Sequence, residues 1–222
     1  MKQTPMHSNH NPDILRIMPN NLKRVVEVGC SSGALARAYV GINSQCRYTG
    51  IEIDPDFAAV AQDYCDEVVC GNIEHLADDE FLKFFPSDCW IFGDTLEHLR
   101  DPWLVIAKIA KNIPVGGHII ACIPNAQHWS LQARLNIGDF RYEATGLLDA
   151  THLRWFTRST IIELFHNAGF RIEAGLPRIF PEPAREKYLP LIAEMAKISN
   201  TDPNLAVNDA LPLQYVIKAV RD

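Results

Sequence analysis

Short β-branched and aromatic runs alternate along this chain with longer amphipathic stretches, and that rhythm predicts an α/β protein. Arg24–Val28 reads as a first strand, with a helix near 33–40 after it. Arg47–Glu52 reads as a second strand. Asp54-Pro55 then carries a helix-start signal, an N-cap acid followed by proline at the first helical position. Glu67–Cys70 predicts a short third strand and 88–93 a fourth. In the fourth, Cys89, Trp90, Ile91 and Phe92 are apolar in succession, as in a strand buried on both faces. Asp101-Pro102 repeats the helix-start signal, for a helix running to about Lys111. Pro114-Val115-Gly116-Gly117 is a turn, and 118–123 a fifth strand. A helix over 157–168, a strand from Gly169, helical character over 183–198 and a final strand at 213–220 complete the pattern. The alternation predicts a doubly wound, Rossmann-like, mostly parallel sheet with helices on both faces. Its ligand should lie beyond the carboxyl ends of the strands.

The rhythm breaks at 125–157, where His128, Trp129, Arg134, Arg141, His152, Arg154 and Trp155 crowd together. The stretch is too long for a plain loop and too polar for core, which predicts a substrate lid. A helical insert is expected at 183–210. Nothing repeats and no linker divides the chain, so 1–222 reads as one domain. The net charge of −6 argues against a nucleic-acid partner. No apolar run reaches membrane-spanning length. The polar stretch from Met1 to Pro12 has no signal-peptide core and is expected to be frayed. Six cysteines without C-x-x-C spacing read as reduced packing thiols rather than a zinc site. These features together predict a cytoplasmic location.

Chemistry concentrates where the first strand ends. Val25-Val26-Glu27-Val28-Gly29-Cys30-Ser31-Ser32-Gly33 feeds a strand into a helix through a glycine turn, which brings backbone N–H groups close to a ligand. Nineteen residues after Gly33 the second strand ends in Glu52, the reach expected of an acid that grips a ribose diol. Three readings compete. Gly29-Cys30-Ser31-Ser32-Gly33 fits the G-x-S-x-G elbow with Ser31 as nucleophile. That reading lacks the preceding strands and leaves Glu52 unexplained. A dinucleotide fingerprint, and with it an NAD-dependent oxidoreductase, would place Ser31 where a glycine should meet the pyrophosphate.

The third reading rests on several segments in order. Gly50-Ile51-Glu52-Ile53-Asp54 follows the glycine turn, and Gly71-Asn72-Ile73 follows it, with Asn72 where an acid is usual. Then come Asp94-Thr95-Leu96-Glu97-His98-Leu99-Arg100-Asp101-Pro102, the segment 114–125, and His152-Leu153-Arg154-Trp155-Phe156-Thr157. Over about 22–175 the chain resembles the class I S-adenosylmethionine-dependent methyltransferases, in particular the ubiquinone-biosynthesis-like small-molecule enzymes. The resemblance implies a seven-stranded sheet whose last strand, 213–220, runs antiparallel. It implies S-adenosylmethionine as cofactor and a small-molecule acceptor: an oxygen of a sugar, nucleotide-sugar or secondary metabolite. A catalytically weak cofactor-binding module is the alternative.

The resemblance also implies roles. Glu27 would favour the ammonium, Gly29, Ser31 and Gly33 would let the methionine part pass, and Glu52 would accept the ribose hydroxyls. Ile53 and Ile73 would sandwich the adenine, Asn72 would meet its edge, and Asp94 would lie near the methionine moiety. A hydroxyl acceptor needs a base, for which His98, His128 and His152 are candidates. Asp94-x-x-Glu97-His98, completed by His128 or His152, is similar to a divalent-metal segment. The simpler expectation is that Glu97 and His98 only fix their loop. Arg134, Arg141, Arg154 and Arg158 would suit an anionic acceptor, and Trp129, Phe140, Tyr142, Trp155 and Phe156 an aromatic one. The arginines could equally pair with Asp139, Glu143 and Asp149.

Overall fold

The computed structural model describes residues 8–222. Seven strands form one sheet: β1 (Arg24–Val28), β2 (Arg47–Glu52), β3 (Glu67–Cys70), β4 (Cys89–Gly93), β5 (His118–Pro124), β6 (Phe170–Arg178) and β7 (Gln214–Arg221). Their order is β3-β2-β1-β4-β5-β7-β6. Strands β1 to β5 are parallel, and β7 enters antiparallel between β5 and β6, as expected of the last strand. The helices are α1 (Pro12–Ile17), α2 (Ala34–Ile42), α3 (Pro55–Ala61), α4 (Asp78–Leu82), α5 (Pro102–Asn112), α6 (Trp129–Asn136), α7 (Arg158–Asn167), α8 (Leu189–Ile198) and α9 (Pro203–Ala210).

The starts read from sequence have their physical cause in caps. Asp54 Oδ1 accepts from the Asp56 and Phe57 N–H groups, and Asp101 Oδ1 from that of Leu104. The helical stretch expected over 183–198 divides into a 3-10 turn (Pro183–Lys187) and α8. Pro190 has no N–H and cannot sit inside a helix, so a new helix starts around it.

Successive residues of the central strands feed opposite faces of the sheet. Val26, Trp90, Phe92, Ile119 and Ala121 meet α5 and α7 through Ile106, Ile109, Leu164 and Phe165. Val25, Cys89, Ile91, Ile120 and Cys122 meet α1 and α2 through Ile14, Leu35, Ala36 and Tyr39. A small satellite core of Trp129, Ile192 and Ala210 seats the insert on α6. The ends of the 125–157 stretch are pinched together: the Ala126 N–H donates to the Phe156 carbonyl at 2.8 Å. Buried Asn125 donates through Nδ2 to the carbonyls of Asp209 and Pro212, both at 2.8 Å.

The expectation of a frayed N-terminus fails for residues 8–12; residues 1–7 lie outside the described ones. Ile14 is fully buried and anchors α1, Asn11 caps that helix, and Arg37 Nη2 donates to the Ser8 carbonyl at 3.0 Å. Among the described residues all six cysteines are free. No helix among them is long and apolar enough to cross a membrane.

Candidate active site

A cavity of about 730 Å³ opens at the carboxyl ends of β1, β2, β4 and β5. It straddles the point between β1 and β4 where the strand order reverses, the usual ligand position in an open α/β sheet. Its wall comes from those strand ends, from Asn9, His10, Asn11 and Ile14, from the 145–152 part of the stretch expected to be a lid, and from Leu213 and Gln214.

The glycine turn forms the floor. Gly29 has φ +73°, and its N–H donates to the Ile51 carbonyl at 2.8 Å. A Cβ there would stand 2.6 Å from Thr95 Oγ1, which itself donates to the Val28 carbonyl at 3.0 Å. The turn therefore needs glycine for both its backbone angle and its space. Gly33, at φ +74°, caps α2 and lies close against α3. Ser31 also has positive φ, and its N–H donates to Glu52 Oε2 at 2.8 Å.

Glu52 is 1% exposed. Its second oxygen, Oε1, accepts from the Asp54 N–H at 2.9 Å. The two backbone donors fix the carboxylate at the end of β2, on the cavity wall. Ile53 and Ile73 both line the cavity beside it. Asn72 Oδ1 is used by the Glu74 N–H at 2.9 Å, so its amide nitrogen is the end available to a ligand edge.

Glu27 is buried and accepts from Tyr48 Oη at 2.8 Å. Burial pushes its pKa up to about 8; the tyrosine hydroxyl opposes this, and the charge of Glu52 adds to it. Asp94, at φ +54°, accepts from Gln214 Nε2, and burial raises its pKa also.

At the far wall Glu97, His98 and His152 converge, with ligand-capable atoms all within 4.8 Å of one another. The 3-10 turn Leu96–His98 brings in the first two and the lid brings in the third. Both Glu97 oxygens are buried without a hydrogen-bond partner, and Oε1 lies 4.0 Å from His152 Nε2. Burial, then the neighbouring Asp94, raises the Glu97 pKa well above the usual carboxylate range. Burial, then His98, lowers that of His152. The imidazoles meet edge to face with centroids 4.8 Å apart, and His98 Nδ1 is held 3.0 Å from Thr151 Oγ1.

His128 does not join them. It is fully buried behind the lid, bonded to Ser130 Oγ at 2.8 Å and Glu182 Oε2 at 3.1 Å, and it is not part of the cavity wall. The expected basic lid is not brought to the cavity either. Arg134 pairs with Asp139 and Glu143, Arg141 with Asp139, and Arg158 with Asp209; Arg154 donates to the carbonyls of Leu153 and Arg100. Phe140, Tyr142 and Trp155 cluster on the outer surface, while Phe156 is core. Among the described residues the cavity wall carries six acids (Glu27, Glu52, Glu74, Asp94, Glu97 and Asp149) and no lysine or arginine. Without a lysine or arginine, these described residues offer an anionic acceptor no permanently charged partner.

Sequence reasoning missed Tyr48, Thr95, Gln214 and Asn11. The first three act through partners distant in sequence. Asn11 carried a readable signal, an N-cap residue directly before Pro12.

A methyltransferase-domain family model matches residues 8–174. Among solved structures, a Thermotoga maritima S-adenosylmethionine-dependent methyltransferase, described as a possible histamine N-methyltransferase, superposes with a TM-score of 0.60 at 14% identity, covering 94% of this chain and 86% of that one. A putative S-adenosylmethionine-dependent methyltransferase from Listeria monocytogenes gives 0.60 at 16% identity, covering 95% and 97%. The magnesium protoporphyrin IX methyltransferase of Synechocystis, with bound S-adenosylhomocysteine, gives 0.54 at 15% identity, covering 89% and 74%. These likenesses establish a shared fold. No match was found among curated proteins.

Proposed function

The chain belongs to the methyltransferase-domain family as an S-adenosylmethionine-dependent enzyme, and from that premise we propose that it methylates a hydroxyl oxygen of a neutral small molecule with the help of a divalent cation. The observation that carries this reading is Glu97: two buried oxygens without a partner, facing two imidazoles across the cavity wall. A buried carboxylate left so is costly. A mixed carboxylate–imidazole donor set suits a divalent cation, so the residues present fit one.

In this reading Glu97, His98 and His152 would hold the cation. When bound, it would supply Lewis acidity that lowers the pKa of an acceptor hydroxyl. The rest is positioning by the chain. Glu52 would accept the ribose hydroxyls, Ile53 and Ile73 would enclose the adenine, and Asn72 Nδ2 would donate to its edge. The turn at Gly29, Ser31 and Gly33 would let the methionine part lie against backbone. Glu27 would meet the ammonium once ionised, with Asp94 close to the same end. The transfer is one in-line displacement. The acceptor oxygen forms the C–O bond as the C–S bond breaks, the electron pair returns to sulfur, and the hydroxyl proton is lost to water. Alignment of the two partners supplies most of the acceleration. Lid residues 145–152 would close the acceptor side. The absence of lysine and arginine from the described wall argues against the phosphates of a nucleotide-sugar and for a neutral sugar or phenolic metabolite.

The test is titration of the protein with Mn²⁺ followed by electron paramagnetic resonance, alongside turnover of neutral diols and catechols with and without chelator. One bound ion, lost in Glu97→Gln, with turnover abolished by chelator and restored by Mn²⁺ or Mg²⁺, is the expected result. Turnover indifferent to chelator would overturn the metal and leave His98 or His152 as the base.

A further inference from the structure

Residues 8–17 run along the cavity wall as a strap fastened at two points. Arg37 Nη2 of α2 holds the Ser8 carbonyl at 3.0 Å, and Arg178 Nε at the end of β6 holds Asp13 Oδ2 at 3.1 Å. Between these fastenings Asn9, His10 and Asn11 become cavity wall, and Ile14 joins them just past the second. The same Arg178 donates through Nη1 to Gln214 Oε1, and Gln214 donates through Nε2 to Asp94. One chain of polar contacts therefore ties the strap to an acid inside the cavity.

Asn11 is the odd member. Its Oδ1 accepts from the Asp13 N–H at 3.0 Å and so caps α1. That bond fixes which end of the amide is which. The other end, Nδ2, is buried without a hydrogen-bond partner. Aspartate or serine would cap about as well as asparagine, but neither would leave an amide donor there. A shielded donor without an acceptor is unfavourable and calls for an explanation. Helix α1 has six residues, too few for a useful dipole, so the side-chain amide is what the strap offers.

The acceptor follows from the charges. Among the described residues the wall carries no lysine or arginine; it carries six acids and the histidines His10, His98 and His152. The cofactor has one anionic group, the carboxylate of its methionine portion, for which an amide N–H on the wall is a suitable donor. Ile14, one turn after Asn11, stands beside Gly93 at the end of β4, next to Asp94. We propose that Asn11 Nδ2 donates to the cofactor's methionine carboxylate, so that the N-terminal strap forms part of the cofactor site. This rests on the cofactor occupying the cavity as in the reading above.

Calorimetric titration with S-adenosylhomocysteine and with 5′-methylthioadenosine, which lacks the amino-acid end, tests it on the whole chain. Asn11→Asp keeps the cap and the size, removes the donor and adds a negative charge beside the proposed carboxylate. It is expected to weaken S-adenosylhomocysteine at least tenfold and to leave methylthioadenosine within twofold. Asn11→Ser, which also caps, should show the same selectivity with a smaller loss. Equal losses for both nucleosides, or no loss for either, would overturn the proposal while leaving the cofactor reading intact. Failure of the wild type to bind either nucleoside would overturn the cofactor reading and the proposal with it.

Discussion

Glu97 Oε1 and His152 Nε2 face each other at 4.0 Å across the cavity wall, one from the turn after β4 and the other from the lid. The lid is thus registered on the sheet by a contact between two potential ligands. The backbone repeats the arrangement: the Leu153 and Arg154 N–H groups donate to the Glu97 carbonyl at 2.8 and 3.0 Å. The acid is held from its main chain while its side chain is left unused.

That arrangement predicts an inversion in Glu97→Gln. Without metal, replacing a buried unpaired acid by a neutral amide should leave the melting temperature unchanged or raise it by a few degrees. With Mn²⁺ at a hundred times its Kd, the wild type should gain about 2.7 kcal/mol, or about 5–10 °C at this chain length. The variant should gain nothing. Thermal scans with and without Mn²⁺ measure both, and equal metal shifts would count against the site.

Gly29→Ala should damage fold and site together. The new Cβ would meet Thr95 Oγ1 at 2.6 Å, and the residue would keep an unfavourable φ of +73°. A loss of about 2–4 kcal/mol is expected from strain and displacement combined, with loss of cofactor binding. Gly116→Ala is the control: its φ is also positive, but nothing stands within 4 Å. It should cost about 1 kcal/mol and spare binding. Denaturant melts of the two variants separate the contributions.

The strands were legible because β-branched runs and Asp-Pro caps are local signals. The positions of the candidate cofactor residues were legible for the same reason: Gly29, Gly33 and Glu52 belong to strand ends and turns whose places follow from the alternation. His128 and His152 looked equivalent, because sequence does not reveal that Glu182, 54 residues on, would bind the first behind the lid. Pairing of the lid arginines with Asp139 and Glu143 was legible as the alternative to an anion site, because those acids are close in sequence; Arg158 takes Asp209, a partner set by the docking of α9. Glu97 looked like a loop acid; only the packing that shields it makes it exceptional.

Glu27 predicts two opposite pH dependences. Its pKa in the folded protein is pushed up to about 8 by burial, from an ordinary value of 4.5. The folded state therefore holds its proton more tightly than the unfolded chain. This contribution to stability is full below the unfolded pKa and declines as pH rises toward 8, by about 1.4 kcal/mol per pH unit. Glu27→Gln should flatten that part of the profile. Binding runs the other way. An ammonium needs the ionised carboxylate, so S-adenosylhomocysteine affinity should rise about tenfold per unit up to pH 8, with proton release. Calorimetry in two buffers of different ionisation enthalpy counts the protons, and pH-independent affinity with none released would remove Glu27 from the ammonium's site.

Glu52 should report on the ribose end. Its two oxygens take the N–H groups of Ser31 and Asp54, so the residue ties the glycine turn to the start of α3 before any ligand arrives. Glutamine has the same shape but one acceptor oxygen. In Glu52→Gln one of these N–H groups would face an NH₂ donor, at a cost of about 1–3 kcal/mol. The variant would also lack acceptors for both ribose hydroxyls, and cofactor affinity should fall by about two orders of magnitude, as for charge-assisted hydrogen bonds lost in a shielded site. S-adenosylhomocysteine and methylthioadenosine both carry the ribose, so both should weaken alike. Asn11→Asp should separate the two ligands and Glu52→Gln should not. If Glu52→Gln weakened only the ligand with the amino-acid end, the carboxylate would be supporting the methionine portion, and the ribose would have to be sought elsewhere along the wall.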